Sequence, residues 1–262
     1  KALNIIVCIK QVPDTNEVKL DPVTGTLIRE GIPSIINPDD KAGLEAALRI
    51  KDENGAKVTV ISMGPPQADL ALREALAMGA DEAILVTDRA FGGADTWATS
   101  STLASAVKKL PYDLIITGRQ AIDGDTAQVG PQISEHLGLV NISYAEKITV
   151  KGEYVEVQRQ YEDRYHVIKA KMPCLITALA ELNEPRYMSP KGIFDAYREK
   201  EVTIWTRPDL DVEDGNIGLK GSPTRVFKSF TKALKGKGTV VNLDAQESVD
   251  FLVEKLHEKF IL

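Results

Sequence analysis

The chain has 262 residues, 43% of them hydrophobic and 27% charged, with a net charge of −6 at neutral pH. That is the make-up of a folded globular protein with room for one large domain and a smaller lobe, and the acidic balance argues against a nucleic-acid or anionic-membrane partner. The two cysteines, Cys8 and Cys174, sit in apolar runs and no C-x-x-C occurs, so neither a zinc site nor an iron–sulfur cluster is expected, and both thiols read as buried in a reducing compartment.

Lys1–Ile9 is too short for a signal peptide, and no apolar stretch approaches membrane-spanning length; a cytoplasmic protein without membrane insertion is expected. Leu3–Ile9 is a nearly continuous β-branched run, as in a strand buried on both faces. Residues 10–36 form an excursion, in which Glu17–Leu20, the turn Asp21–Gly25 and Thr26–Ile28 read as a hairpin. Asn37-Pro38-Asp39-Asp40 predicts a helix start, with Asn37 as N-cap, Pro38 at N1 and Asp40 closing a capping box. That helix runs to about Glu53 with Leu44, Ala47 and Leu48 inward. Strand and helix then alternate: Lys57–Ser62, Pro66–Met78, Asp81–Val86, Asp95–Leu110 and Tyr112–Thr117. This alternation predicts an α/β fold, a doubly wound and mainly parallel Rossmann-like sheet.

The most informative stretch is Gly118–Gln132. It follows the apolar strand Tyr112–Thr117 and leads into Val129, Ile133 and Leu137, spaced as on a helix face. A strand, a polar loop and a helix start make a phosphate-binding geometry, because first-turn N–H groups point outward and the helix dipole favours an anion. Gly124 and Gly130 would let the main chain approach a ligand, and Thr126 and Gln128 add side-chain donors. The loop is neither G-x-x-x-x-G-K-[ST] nor G-x-G-x-x-G, and a capped helix after an ordinary turn is the competing reading. Asp123 and Asp125 fit helix capping or ribose bonding better than a metal pair. Ligands of such sheets bind beyond the strands' carboxyl ends at a switch in strand order. That rule gathers Cys8–Val12, Ser62–Gln67, Phe91–Thr99 and Gly118–Val129 round one crevice, with Asn37–Asp40 reaching it from the side.

Beyond about residue 140 the pattern changes. Ser143–Val150, Tyr154–Tyr161 and Tyr165–Lys171 alternate like antiparallel strands, with turns at Lys151-Gly152 and Glu162-Asp163, and Cys174–Leu179 is another buried strand. Glu181–Leu262 is polar and broken by proline and glycine; only Val249, Leu252, Val253, Leu256 and Phe260 form an amphipathic helix. The organisation expected is therefore a nucleotide-binding α/β domain over 1–180 with β additions at about 143–171, followed by a polar C-terminal region whose arm over 201–262 wraps a partner subunit, a loosely packed surface arm being the competing reading; the segment 181–200 between them is assigned as a partner-recognition loop only by the resemblance given below. His136, His166 and His257 lie far apart on surface elements or helix ends, so no hydrolytic triad or metal site is expected.

Several stretches, in order and spanning nearly the whole chain, resemble the beta subunit of electron-transfer flavoproteins: Cys8-Ile-Lys-Gln-Val12, Asn37-Pro38, Ala75-Leu-Ala-Met-Gly-Ala-Asp81, Gly118-Arg-Gln-Ala-Ile-Asp123 and Leu182-Asn-Glu-Pro-Arg-Tyr187. The resemblance implies a heterodimer with an alpha subunit that holds a redox-active FAD. In single-flavin members the beta subunit holds a structural AMP; in two-flavin, electron-bifurcating members a second FAD takes that place. The implied cofactor positions are Cys8, Lys10, Asn37, Asp39, Asp40, Met63, Gly64 and the loop Gly118, Arg119, Gln120, Ala121, Ile122, Asp123, Gly124, Asp125, Thr126, Ala127, Gln128 and Val129, with phosphate contacts on Thr126–Val129. Leu182, Asn183, Glu184, Pro185, Arg186, Tyr187 and Met188, followed by Ile193 and Phe194, resemble the loop through which the family docks its redox partner. Pro190 stands where the mitochondrial type has an apolar anchor, and Arg198-Glu-Lys-Glu201 replaces a lysine-rich stretch, which implies a different partner.

Three features resemble the bifurcating branch: Val12-Pro-Asp-Thr-Asn-Glu-Val-Lys19, the Asn37-Pro-Asp-Asp40 turn, and Gly92-Gly-Ala-Asp-Thr-Trp-Ala-Thr99. The last resembles the loop beside the isoalloxazine ring, where Asp95, Thr96 and Thr99 offer hydrogen-bonding groups; Asp95 or Thr96 also suits an N-cap. For Pro13-Asp14-Thr15 a surface turn is the plainer reading. This branch implies that NADH delivers hydride to the beta-site flavin. One electron then passes through the alpha-subunit FAD to an acyl-CoA dehydrogenase-type flavoenzyme, and the other to ferredoxin or flavodoxin. The alternatives are a structural AMP-binding subunit of a single-FAD complex, and an adenine-nucleotide sensor of similar fold; Leu182–Tyr187 and the long tail speak against the sensor.

Overall fold

The computed structural model describes residues 2–14, 33–225, 236 and 238–262, and the backbone of 19–20 and 27–28. The strands are β1 Asn4–Cys8, β2 Gln11–Pro13, β3 Lys19–Leu20, β4 Leu27–Ile28, β5 Ser34–Ile36, β6 Lys57–Met63, β7 Glu82–Val86, β8 Leu114–Gly118, β9 Val140–Lys151, β10 Tyr154–Gln160, β11 Tyr165–Lys171, β12 Cys174–Ala178 and β13 Val202–Trp205. The helices are α1 Pro38–Asn54, α2 Asp69–Met78, α3 Thr96–Val107, α4 Val129–Leu137, α5 Pro190–Arg198 and α6 Ala245–Glu258. Nine strands form one sheet in the order β11-β10-β9-β12-β8-β1-β6-β7-β13. From β12 to β13 every neighbouring pair is parallel, while β9-β10 and β10-β11 are antiparallel.

The strand sequences explain this centre. Ile5, Ile6 and Val7 are at most 1% exposed because both faces of β1 are covered. Alternate side chains serve opposite cores: Ile5 and Val7 pack with Leu44 and Leu48 of α1 and Leu72 and Leu76 of α2, whereas Ile6 packs with Leu103 of α3 and Ile133 of α4. Each fully buried aliphatic side chain of this kind contributes roughly 1.5–3 kcal/mol. The chain leaves β1 through α1 to β6 on one side, steps out to β7, then returns as β8 on the other side of β1, so Cys8 lies opposite both Ile61 and Thr117. The switch in strand order falls at β1 and β8, and the crevice beyond it is bordered by the segments named above.

Several expectations need correction. The capping box at Asn37 does not form, and the helix has no side-chain cap bond there. Asn37 instead spans to the 118–130 loop, donating through Nδ2 to Gln120 O and accepting from Ile122 N at Oδ1. The strand expected from Ser143 begins at Val140, and its first residues pair in parallel with β12 before the antiparallel ladder to β10 begins. Tyr144, at φ 58, marks the irregularity between the two patterns. Within 181–225, α5 and β13 were not foreseen. β13 is short and carries the polar Thr203, so it lacks the apolar run of a central strand; it forms the sheet edge beside β7. β3 and β4 pair as the expected hairpin, while its turn Asp21–Gly25 and Thr15–Val18 lie outside the described residues. Among the described residues no helix is long and apolar enough to cross a membrane.

Candidate functional site

A cavity of about 1320 Å³ opens at the carboxyl ends of β1, β6, β7 and β8. Its walls include Cys8 and Lys10 after β1, Met63 and Gly64 after β6, Asp95, Thr96 and Thr99 at the start of α3, and Gly118, Arg119, Gln120, Ala121, Gly124, Thr126, Ala127, Gln128 and Val129. Asp40 reaches the wall from α1. The crevice expected from the strand order is therefore a real one. Asn37, Asp39, Ile122, Asp123 and Asp125, also expected as cofactor positions, do not line it; their side chains or backbone shape the loop that does.

The carboxylates of α1 do this work. Asp40 is 7% exposed and accepts from Lys10 N at 2.8 Å and Gly118 N at 2.9 Å. It thereby ties the exits of β1 and β8 together. Burial pushes its carboxyl up to about 7 in spite of those two donors. A Cβ at Gly118 would stand 2.2 Å from Asp40 Oδ1, so only glycine admits this approach. Asp39 accepts from Ala180 N and Gln120 N and faces Arg119 Nε at 3.3 Å. Burial raises its carboxyl, and Arg119 opposes the rise. Lys10 Nζ pairs with Asp123 at 2.8 Å, and Asp125 accepts from Gln120 Nε2. The two aspartates are thus engaged separately rather than converging on a cation.

The far limb of the loop has a different character. Asp125 and Ala127 take left-handed backbone at φ 48 and φ 52 without being glycine. Such alternation turns successive N–H groups toward one concave side. Among the described residues no acceptor takes the N–H groups of Thr126, Ala127, Gln128 or Val129, and all four residues line the cavity. Unpaired amides at a helix start are an anion-binding arrangement, so the residues present fit a phosphorylated ligand. Gly124 has open space where a Cβ would stand, consistent with ligand approach. Gly130 also lines the cavity, and a Cβ there would meet Thr117 Oγ1 at 2.5 Å, so the lack of a side chain serves the packing of α4 on β8 as well.

Gly92–Thr99 supplies another stretch of the wall. Asp95 caps α3, accepting from Ala98 N at 3.0 Å, and Thr96 Oγ1 donates to Gln128 Oε1 at 2.8 Å. That bond bridges the starts of α3 and α4, so the Thr96 proton and Gln128 Oε1 are already committed. Cys8 is buried, and burial first, then Asp40, pushes its thiol up to about 12; it is a protonated packing group, not a nucleophile. Sequence reasoning missed Thr87, Asp88 and Arg89 after β7, Leu103 and Thr117, and Thr206 and Thr224 from the C-terminal part, all of which line the cavity. The strand-end rule applied to β7 would have found the first three; Thr206 follows β13, which left no clear signal, and Thr224 is brought in by its bonds to Asp95.

Of the docking positions, Asn183 Nδ2 donates to Ala42 O, and Arg186 donates to the buried Glu45 and to Asp52, so the loop hangs on α1. Leu182 packs against the core. Glu184 O accepts from Arg49. Pro185 follows in that loop; Tyr187 is 97% exposed, and Met188, Ile193 and Phe194 are also exposed. His136 bonds Ser100 and Ser101 and packs on Trp97, whereas His166 lies beside Tyr161.

The family model of the electron transfer flavoprotein domain matches residues 24–210. The electron transfer flavoprotein subunit beta of Clostridium acetobutylicum is 61% identical over 98% of this chain and 99% of its own length. Subunit CarD of the caffeyl-CoA reductase-Etf complex of Acetobacterium woodii is 57% identical over 99% of this chain and 100% of its own. The acryloyl-CoA reductase electron transfer subunit gamma of Anaerotignum propionicum is 46% identical, again over 99% and 100%. With the parallel sheet, the amide-lined crevice and these full-length likenesses together, the chain belongs to the electron transfer flavoprotein family, as a beta subunit.

Proposed function

We propose that the cavity holds FAD and that the chain, paired with an alpha subunit in the cytoplasm, takes electrons from NADH and divides them between ferredoxin or flavodoxin and the alpha-subunit FAD. The latter serves an acyl-CoA dehydrogenase-type flavoenzyme. When bound, the flavin supplies hydride acceptance and single-electron release. The supporting observation is the cavity's extent: about 1320 Å³, beyond the roughly 300–1,000 Å³ of ordinary small-molecule pockets. Its lining includes the residues of the unpaired amides, Thr126–Val129, and the small residues Gly92, Gly93 and Ala94. AMP would use the amide end and leave the rest to water. The names of the relatives from the caffeyl-CoA and acryloyl-CoA reductase systems support an acyl-CoA partner.

In this reading the amides of Thr126–Val129 take the diphosphate, and the carboxylate of Asp40 fixes the two strand exits against which the ligand lies. The small residues Gly92, Gly93 and Ala94 admit a flat ring. No side chain is asked to move a proton. Leu182–Tyr187 and α5 present the docking surface, and α6, whose Val249 and Leu252 are exposed, belongs to the arm on the alpha subunit. Cofactor analysis of the purified heterodimer tests this. Two FAD per heterodimer are expected, the second reduced by NADH; one FAD with one AMP supports the structural alternative and refutes hydride transfer here.

A further inference from the structure

Among the described residues, three cationic side chains line the cavity: Lys10, Arg89 and Arg119. Two of them are neutralised. Lys10 Nζ meets Asp123 Oδ1 at 2.8 Å. Arg119 Nε meets Asp39 Oδ2 at 3.3 Å, and its guanidinium carbon lies 5.9 Å from the Tyr144 ring centre. Arg89 differs. It is exposed, and among the described residues its guanidinium has neither a carboxylate nor a carbonyl partner. The adjacent acid, Asp88, spends Oδ1 on Ala90 N at 2.9 Å and Oδ2 on Arg207 N at 3.1 Å. The Arg207 guanidinium is committed in turn, to Asp214, Leu210 O and Val212 O.

The backbone beneath Arg89 is fixed. Thr87 N donates to Trp205 O at 2.9 Å, Gly92 N donates to Arg89 O at 3.1 Å, and Phe91 is buried in the core. An arginine held at its base with a free planar fork is suited to an anion that a ligand brings. Strand order separates this cation from the phosphate-binding amides. Arg89 follows β7, and β1 and β6 stand between β7 and β8, so the exits of β7 and β8 are about 14 Å apart at the usual spacing of neighbouring strands. The bonds of Thr87 and Asp88 tie the start of this segment to the exit of β13, beyond β7; the segment turns towards α4 later, where Thr96 bonds Gln128.

We infer that Arg89 binds the diphosphate of the nicotinamide dinucleotide that reduces the beta-site flavin, and so selects a phosphorylated hydride donor. This rests on the reading of the cavity as an FAD site reduced by NADH, in which the amides of Thr126–Val129 already hold the flavin's own diphosphate. The donor's ring has to lie on the flavin ring, and its diphosphate then extends to where an exposed guanidinium can take it in a bidentate bond. The other anion this cavity would hold is the reduced flavin itself, and the choice of hydride donor separates the two sources.

The test follows reduction of the second FAD in the purified heterodimer by NADH and by 1-benzyl-1,4-dihydronicotinamide, a donor without phosphate, for the native chain, Arg89→Gln and Arg89→Lys. In Arg89→Gln the NADH concentration that half-saturates reduction is expected to rise about tenfold. Arg89→Lys recovers part of the loss, because it keeps the charge without the fork. FAD content and the rate with the phosphate-free donor stay at native values in both variants. An unchanged NADH dependence in Arg89→Gln overturns the inference. So does an equal slowing with both donors, which places Arg89 on the flavin ring, and so does a loss of bound FAD, which makes it a flavin-holding residue. A native heterodimer with no second FAD, or with one that NADH leaves oxidised, overturns the reading of the cavity itself and is told apart because it needs no variant.

Discussion

Replacing Asp40 by asparagine sets two terms of known size against each other. The native carboxylate is 7% exposed and receives two backbone N–H groups, yet burial raises it from 3.8 to about 7. At 1.36 kcal/mol per pH unit that shift corresponds to about 4 kcal/mol between the charged and neutral forms. A carboxyl raised in the folded state binds protons that the unfolded chain has released. Its stabilising contribution is therefore complete below pH 3.8 and is lost as pH rises through about 7. Asparagine carries no such penalty, but its NH2 turns a donor toward one of two donors and leaves Lys10 N or Gly118 N unpaired, at about 1–3 kcal/mol. Asp40→Asn is thus expected to be less stable than the native heterodimer at pH 5 and equal or more stable at pH 8.5. Urea unfolding at both pH values reads the difference, and subtraction removes the other titrating groups. A stability difference that stays constant between the two pH values refutes the burial argument.

Gly118→Ala places a Cβ 2.2 Å from Asp40 Oδ1 and 2.8 Å from Asp40 N; overpacking of this kind costs about 1–3 kcal/mol, and thermal melts together with cofactor occupancy should both fall. Arg186→Ala leaves Glu45 with Arg49 as its remaining side-chain partner; a loss of roughly 1–2 kcal/mol at pH 7, discounted for the exposed end of Arg186, is expected by denaturation. Hydrogen bonds from Arg186 and Arg49 hold the Glu45 carboxyl below its usual range against the opposing pull of burial, so that stabilisation exists above the carboxylate range and fades on acidification. Arg186→Ala should accordingly flatten the acid limb of the stability curve, and adding Glu45→Gln should restore part of the loss at pH 7.

The parallel core was legible because its signals are local. Continuous apolar runs such as Leu3–Ile9 and Tyr112–Thr117 have few alternatives to a doubly covered strand, and helix starts such as Asp95 carry their caps with them. The crevice followed from strand order by a general rule. What remained hidden depends on residues far apart in the chain. Asn37 reads locally as an N-cap, but two partners more than eighty positions away claim its amide. Asp40 reads as a capping acid, yet it joins the ends of β1 and β8. Gly130 suggests ligand approach and does line the cavity, but its second constraint, the close Thr117 across the α4–β8 contact, is invisible in the sequence. β13 escaped notice because an edge strand needs only one neighbour and keeps polar residues on its open side.

The left-handed backbone at Asp125 and Ala127 has a consequence for energy flow on binding. Side-chain-bearing residues in that conformation cost of order 1 kcal/mol or more each, sustained by the surrounding fold. Glycines there would relax the tension but loosen the chain, and a ligand would then have to freeze it. As built, the amide cradle is preset before any anion arrives, so little of the encounter's free energy is diverted into ordering and more appears as affinity.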